Sequence, residues 1–178
     1  FYSQNSSSIY SLDGKLLSTN YQPCCYYTLP ILENSKTLYD CFDNYTNREK
    51  LTGENMWLNE ETGEYIEVYK KINFWKLPNV LIIVLKRFTN DGDKISNLIK
   101  FPFELDLRKY CVGYRKTSYK YSLKSVANHD GSLNGGHYYS YVQNANGKWY
   151  TYNDTNVSEM SKNEVVSRSA YCLFYELK

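Results

Sequence analysis

The sequence has no long hydrophobic run. Its longest apolar stretch, Val80 to Leu85, is closed by Asn79 and Lys86, far short of the roughly 20 residues a helix needs to cross a bilayer. No membrane segment or cleavable leader is therefore legible. A block of like charge is missing too: 21 Lys and Arg stand against 19 Asp and Glu, spread along the chain, for a net charge of +2. Nucleic-acid binding has no electrostatic footprint here. With 4 prolines and 9 glycines there is no low-complexity tract, and no segment repeats. The five cysteines (Cys24, Cys25, Cys41, Cys111, Cys172) are odd in number and two are adjacent, which argues against a secreted disulfide framework and for a reducing compartment, the cytoplasm or nucleus. The chain opens at Phe1 without a Met, as expected of a segment of something longer.

What is present suits one globular core: 178 residues, 42% hydrophobic and 22% charged, enough to bury a single domain's interior. The 20 tyrosines suggest either base-stacking or carbohydrate-binding surfaces, or simply a strand-rich protein, because Tyr favours strands and can bury its ring while its hydroxyl stays wet. From Phe1 to about Asp13 the chain is polar and Ser/Asn-rich, and Gly14 then marks a turn. Strand patterns follow at Lys15–Ser18, Cys25–Leu29, Tyr65–Tyr69, Ile72–Trp75 and Val80–Leu85, and in the last third at Tyr119–Ser125, His137–Val142, Lys148–Tyr152 and Ala170–Glu176. Ser35 is a candidate N-cap for a helix over Thr37–Asn44, where Leu38, Cys41 and Phe42 share a face. Another turn is expected at Asn47–Leu51 and a short helical turn at Ser161–Val166. Asn144–Gly147 signals a hairpin. The pattern predicts an α+β fold dominated by a twisted antiparallel sheet with few helices.

Chemistry concentrates around one of the two histidines. His137 opens a strand after Gly135 and Gly136, and two residues without side chains let a substrate main chain approach an imidazole closely. A lone His is often structural; this setting favours catalysis. His129 reads as a solvated loop residue. If the hairpin turns at Asn144–Gly147, Asn153 and Asp154 return beside His137, where either can hold the second ring nitrogen and fix the tautomer. The plain alternative is that Asn153 and Asp154 only cap a turn.

Longer motifs resemble those of the ubiquitin-specific protease family. They are Leu77–Phe88 (LPNVLIIVLKRF), Ile99–Leu107 (IKFPFELDL), Gly135-Gly136-His137-Tyr138, Trp149–Asp154 followed by Val157, and Ala170–Tyr175. They appear in the family's order from Leu77 to the end. A weaker likeness precedes them, in Gln22-Pro23 through Ile31, Thr37–Phe42 and Glu49–Asn55.

The resemblance implies a papain-like cysteine protease palm with β fingers: about 1–75 as fingers and connecting helix, 76–178 as palm with the His box. The N-terminal thumb and the Gly-Asn-Thr-Cys box of the family are absent from this chain, and Cys41, in Asp40-Cys41-Phe42-Asp43-Asn44, only superficially imitates that box. The implied activity is deubiquitination, with His137 as general base, Asn153 as its orienter and Asp154 aligning the site or stabilising the oxyanion. Gly135, Gly136 and Tyr138 would contact substrate, and 89–94 and 128–133 would be blocking loops. The implied partners are ubiquitin and ubiquitinated proteins, together with an N-terminal segment or chain carrying the Cys box. A catalytically inactive ubiquitin-binding or scaffolding module is the alternative. Many members hold a structural zinc in two CxxC pairs; by position these fall near Tyr10 and Asp13, and near Asn59 and Thr62, so no metal and no cofactor is expected.

Overall fold

The apolar run Val80–Leu85 lies inside the largest sheet, where alternate residues Leu81, Ile83 and Leu85 are fully buried. The computed structural model describes residues 1–114 and 119–178. In chain order the elements are β1 (Ser3–Tyr10), β2 (Leu16–Cys24), β3 (Tyr27–Pro30), helix α1 (Leu38–Thr46), β4 (Glu49–Leu51), β5 (Trp57–Asn59), β6 (Glu64–Ile66), β7 (Val68–Lys76), β8 (Val80–Lys86), β9 (Glu104–Asp106), β10 (Lys120–Ser132), β11 (Gly135–Gln143), β12 (Trp149–Asn153), β13 (Asn156–Met160) and β14 (Ala170–Leu177). Short 3-10 turns sit at Gly53–Asn55, Arg108–Tyr110 and Lys162–Glu164. The architecture is α+β, with one α-helix among the described residues.

Eight strands form the main sheet, ordered β13-β12-β11-β10-β14-β8-β3 with β9 added beside β10. Every pairing in it is antiparallel except β3 on β8. A second sheet is ordered β2-β1-β7-β4, and β5 pairs with β6 alone. Although β3 belongs to the first part of the chain, it joins the main sheet.

The polar stretch from Phe1 to about Asp13 holds β1, an inner strand of the second sheet. Its small side chains find partners across the ladder: Ser3 Oγ donates to the Cys24 carbonyl at 2.7 Å, Tyr27 Oη donates to Ser3 Oγ at 2.7 Å, and Ser8 and Thr19 hydroxyls meet at 3.0 Å. Satisfied hydroxyls are cheap to bury, so hydrophobicity alone could not mark this strand. The cap of helix α1 lies two residues after the expected one: Thr37 is the N-cap, forming a capping box in which Thr37 Oγ1 accepts from Asp40 N and Asp40 accepts from Thr37 N. Ser35 instead accepts from Leu32 N at 3.0 Å and from Asn44 Nδ2 at 3.1 Å. The turn expected at Asn47–Leu51 contains β4, paired with β7.

Leu38, Cys41 and Phe42 of α1 are fully buried against Phe74, Tyr27 and Tyr110. One charged side chain is buried with them. Arg87, at zero exposure, donates from Nε to the Ala170 carbonyl at 2.6 Å and from Nη1 to the carbonyls of Ile95 and Asn97 at 2.8 and 3.0 Å. It ties the 95–97 segment to the start of β14, and burial lowers its proton affinity.

Candidate active site

The β11–β12 hairpin turns at residues 144–147, as Asn144 N binds the Lys148 carbonyl at 3.0 Å and Gly147 N binds the Asn144 carbonyl at 2.9 Å. Ser140 is therefore opposite Tyr152, and the end of β12 returns beside the start of β11. The consequence is a direct contact: His137 Nε2 and Asn153 Oδ1 are 2.5 Å apart. An amide oxygen only accepts, so Nε2 carries the proton and Nδ1 is left with its lone pair free. Tyr139 stacks near the ring, with centroids 6.3 Å apart and planes at 18°. A held imidazole with an unshared basic nitrogen can take a proton from a neighbouring acid and return it to a leaving group.

Asp154 follows Asn153 at the exposed turn into β13, with φ of 51°, a left-handed conformation that Asp tolerates. Among the described residues it makes no hydrogen bond to His137. The two glycines before His137 differ. A side chain on Gly135 would meet nothing within 4 Å, whereas one on Gly136 would come within 2.3 Å of His129 Nε2 and 2.5 Å of the Asp130 carbonyl. Gly136 is thus demanded by the fold, while Gly135 leaves open space beside the imidazole.

His129 corrects the expectation of a solvated loop. Strand β10 continues to Ser132, so residues 128–132 are ladder rather than blocking loop, with His129 opposite Tyr138 and Asp130 opposite His137. Opposed residues share a face and successive ones alternate. His129 therefore points away from His137, 4% exposed, among Tyr138, Phe88 and Tyr171 at centroid distances of 4.6, 5.7 and 5.9 Å. Burial, and then the charge of Lys94, hold it below the usual histidine range, with Asp130 opposing. Lys94 Nζ donates to its carbonyl at 2.7 Å and its own N–H binds the Ser169 carbonyl at 2.8 Å. Tyr138 covers the His129 ring yet stays 58% exposed. Extending the alternation of β10 through Ala127-Asn128-His129-Asp130 was the signal that could have found both His129 and Asp130.

Among the described residues no thiol reaches His137. Cys41 is fully buried on α1 and burial pushes its thiol up to about 11; Cys172 is pushed up likewise, to about 11. Both are un-ionised near neutral pH and unsuited to attack. The positions aligned with the family's metal pairs do not fit zinc either. Asn59 Oδ1 accepts from Glu61 N at 3.0 Å, Thr62 Oγ1 accepts from Glu64 N at 3.4 Å, Asp13 accepts from Ser11 Oγ, and Tyr10 carries Arg48 on its ring at 4.9 Å. These side chains brace their own turns and neighbours, and they offer one carboxylate where four soft ligands are required.

The sequence model for ubiquitin carboxyl-terminal hydrolases matches residues 4–175. Human ubiquitin carboxyl-terminal hydrolase 15 is 38% identical over 144 residues, 78% of this chain and 15% of that protein. Ubiquitin carboxyl-terminal hydrolase 8 of Arabidopsis thaliana is 33% identical over 170 residues, 88% of this chain and 19% of that protein. Among solved structures, the SAGA DUB module of Ubp8, Sgf11, Sus1 and Sgf73 bound to monoubiquitin contains a chain that superposes with a TM-score of 0.86 at 30% identity. That likeness covers all of this chain and 41% of the other. A yeast SAGA module also gives a TM-score of 0.86, at 31% identity. The chain belongs to the ubiquitin carboxyl-terminal hydrolase family. It spans less than a fifth of the length of these curated relatives. No helix among the described residues is long and apolar enough to cross a membrane.

Proposed function

We propose that this chain is the base-bearing part of a thiol-dependent deubiquitinase, a ubiquitin carboxyl-terminal hydrolase that cleaves bonds at the C-terminal glycine of ubiquitin. The observation that carries the reading is the 2.5 Å contact between His137 Nε2 and Asn153 Oδ1, which leaves Nδ1 free for a thiol. A solved relative bound to monoubiquitin supports the substrate class. In this reading residues 1–75 are fingers with their connecting helix, and 76–178 are the palm. The nucleophilic cysteine comes from sequence outside these 178 residues, and the enzyme works on ubiquitinated proteins in the cytoplasm or nucleus.

The thiol gives its proton to His137 Nδ1, and the thiolate attacks the glycine carbonyl. The imidazolium then protonates the departing amine, and the acyl–sulfur bond is later hydrolysed by a water that His137 deprotonates. Asn153 holds the ring through both steps. Asp154 aligns this end of the site, and Gly135, Gly136 and Tyr138 line the path of the ubiquitin tail. The test is labelling of the full-length protein with a C-terminally electrophilic ubiquitin, followed by peptide mapping. The adduct is expected on a cysteine outside the chain described, with no adduct once that cysteine is replaced. An adduct on Cys25 or Cys41 would withdraw the assignment of the nucleophile, and no adduct at all would favour a binding module.

A further inference from the structure

His137 has a polar neighbour on each flanking strand. Asn153 reaches it from β12. On the other side, Asp130 of β10 stands directly opposite His137 in the ladder, so the two side chains rise from the same face. Cβ atoms of directly opposed residues are about 4.5–5.5 Å apart, which sets the carboxylate beside the imidazole although no hydrogen bond or ion pair joins the two. Asp130 does not wander: Ser169 Oγ donates to its Oδ1 at 2.5 Å, and Ser169 is itself fixed by the His129 N–H on its carbonyl at 2.8 Å. Among the described residues no basic side chain forms an ion pair with Asp130. A tethered carboxylate without a cationic partner thus faces the one ring expected to become cationic.

We propose that Asp130 is a positioning residue for the reaction at His137, favouring the imidazolium and its ring orientation from the strand opposite Asn153. The proposal rests on the reading of His137 as the base. The two neighbours divide the task. Asn153, neutral, fixes the tautomer of the uncharged ring and the ring's orientation in both charge states. Asp130 acts only when the ring is charged, the state that pairs with the thiolate and then protonates the leaving amine. Other titratable or charged groups at this end include Tyr139, stacked on the ring, Asp154 at the β12–β13 turn, Lys94, held on the His129 carbonyl, and His129 and Tyr138 on the opposite face of the ladder.

The sign follows from Coulomb's law. A carboxylate nearby favours the charged imidazole, so the alkaline limb of kcat/KM, where the imidazolium is lost, lies higher with Asp130 than without it. The experiment is a pH–rate profile of the full-length enzyme on a fluorogenic ubiquitin substrate, for the wild type, Asp130→Asn, Ser169→Ala and His137→Gln. Asp130→Asn keeps the size and removes the charge. Its alkaline limb is expected to fall by about 0.5–1 pH unit, with KM changed less than about twofold, and Ser169→Ala is expected to shift the limb the same way by less. Raising salt to about 0.5 M should lower the wild-type limb by screening the pair, a measurement that stands even if Asp130→Asn misfolds. An unmoved limb in Asp130→Asn, or a loss uniform across pH, overturns the proposal while an inactive His137→Gln leaves the base assignment standing. Turnover retained by His137→Gln would instead remove the base assignment, and the proposal with it.

Discussion

The two ends of the main sheet are built on opposite terms. At the β3–β8–β14 end, Tyr27, Leu29, Leu81, Ile83, Leu173 and Tyr175 are buried, α1 lies against them, and even the guanidinium of Arg87 is closed off from water. At the β11–β12–β13 end, Gly135 through Tyr138 and Asn156 through Glu159 are exposed, and the polar contact of His137 with Asn153 lies in the open. Burial holds the first end; the ladder and one hairpin turn hold the second. In the proposed function the imidazole must meet both a thiol and a substrate and cannot be packed away, so its geometry is set by strand register rather than by enclosure.

The sharpest way to break this comparison is to separate activity from stability. In the full-length enzyme His137→Ala is expected to lower kcat by on the order of 10³-fold, within the usual general-base range, without moving the unfolding midpoint. Asn153→Ala should lose less, because it only orients the ring. Steady-state kinetics beside thermal unfolding checks both, and near-native turnover in His137→Ala would end the assignment of the site to this strand pair.

Arg87→Met should do the reverse. It strips donors from the carbonyls of Ile95, Asn97 and Ala170, and buried groups left unpaired cost about 1–3 kcal/mol each. A net loss of about 3 kcal/mol corresponds to a midpoint lowered by roughly 10 °C. Turnover per folded molecule should change far less than in His137→Ala. Denaturant unfolding that shows less than about 1 kcal/mol lost would mean the guanidinium contributes little beyond what a methionine supplies.

The smallest effects sharpen the comparison within the open end. Gly136→Ala puts a methyl against the His129 ring and the Asp130 backbone, and overpacking of this kind costs about 1–3 kcal/mol. Gly135→Ala meets nothing within 4 Å, so its stability should be unchanged and any loss should fall on kcat/KM for ubiquitin substrates. Equal destabilisation by the two would show that Gly136 is not pressed against His129.

The strands rich in branched and aromatic residues, the hairpin at Asn144–Gly147 and the His137–Asn153 partnership were legible because each depends on local pattern or on a short turn. The polar strand β1 was not, since serines signal a strand only when neighbours accept their hydroxyls. Nor was His129, whose burial depends on Phe88 and Tyr171, brought in from just beyond β8 and from β14.

By itself the sequence determined the family's motif order, the α+β class and the proximity of Asn153 to His137, because a tight hairpin converts spacing directly into contact. Tertiary structure alone decided which nitrogen of His137 stays free, that Gly136 rather than Gly135 is required by packing, that Arg87 is enclosed, and that Asp130 faces the imidazole. Those outcomes turn on register between strands far apart in the chain, where a slip of one residue would send each side chain to the other face.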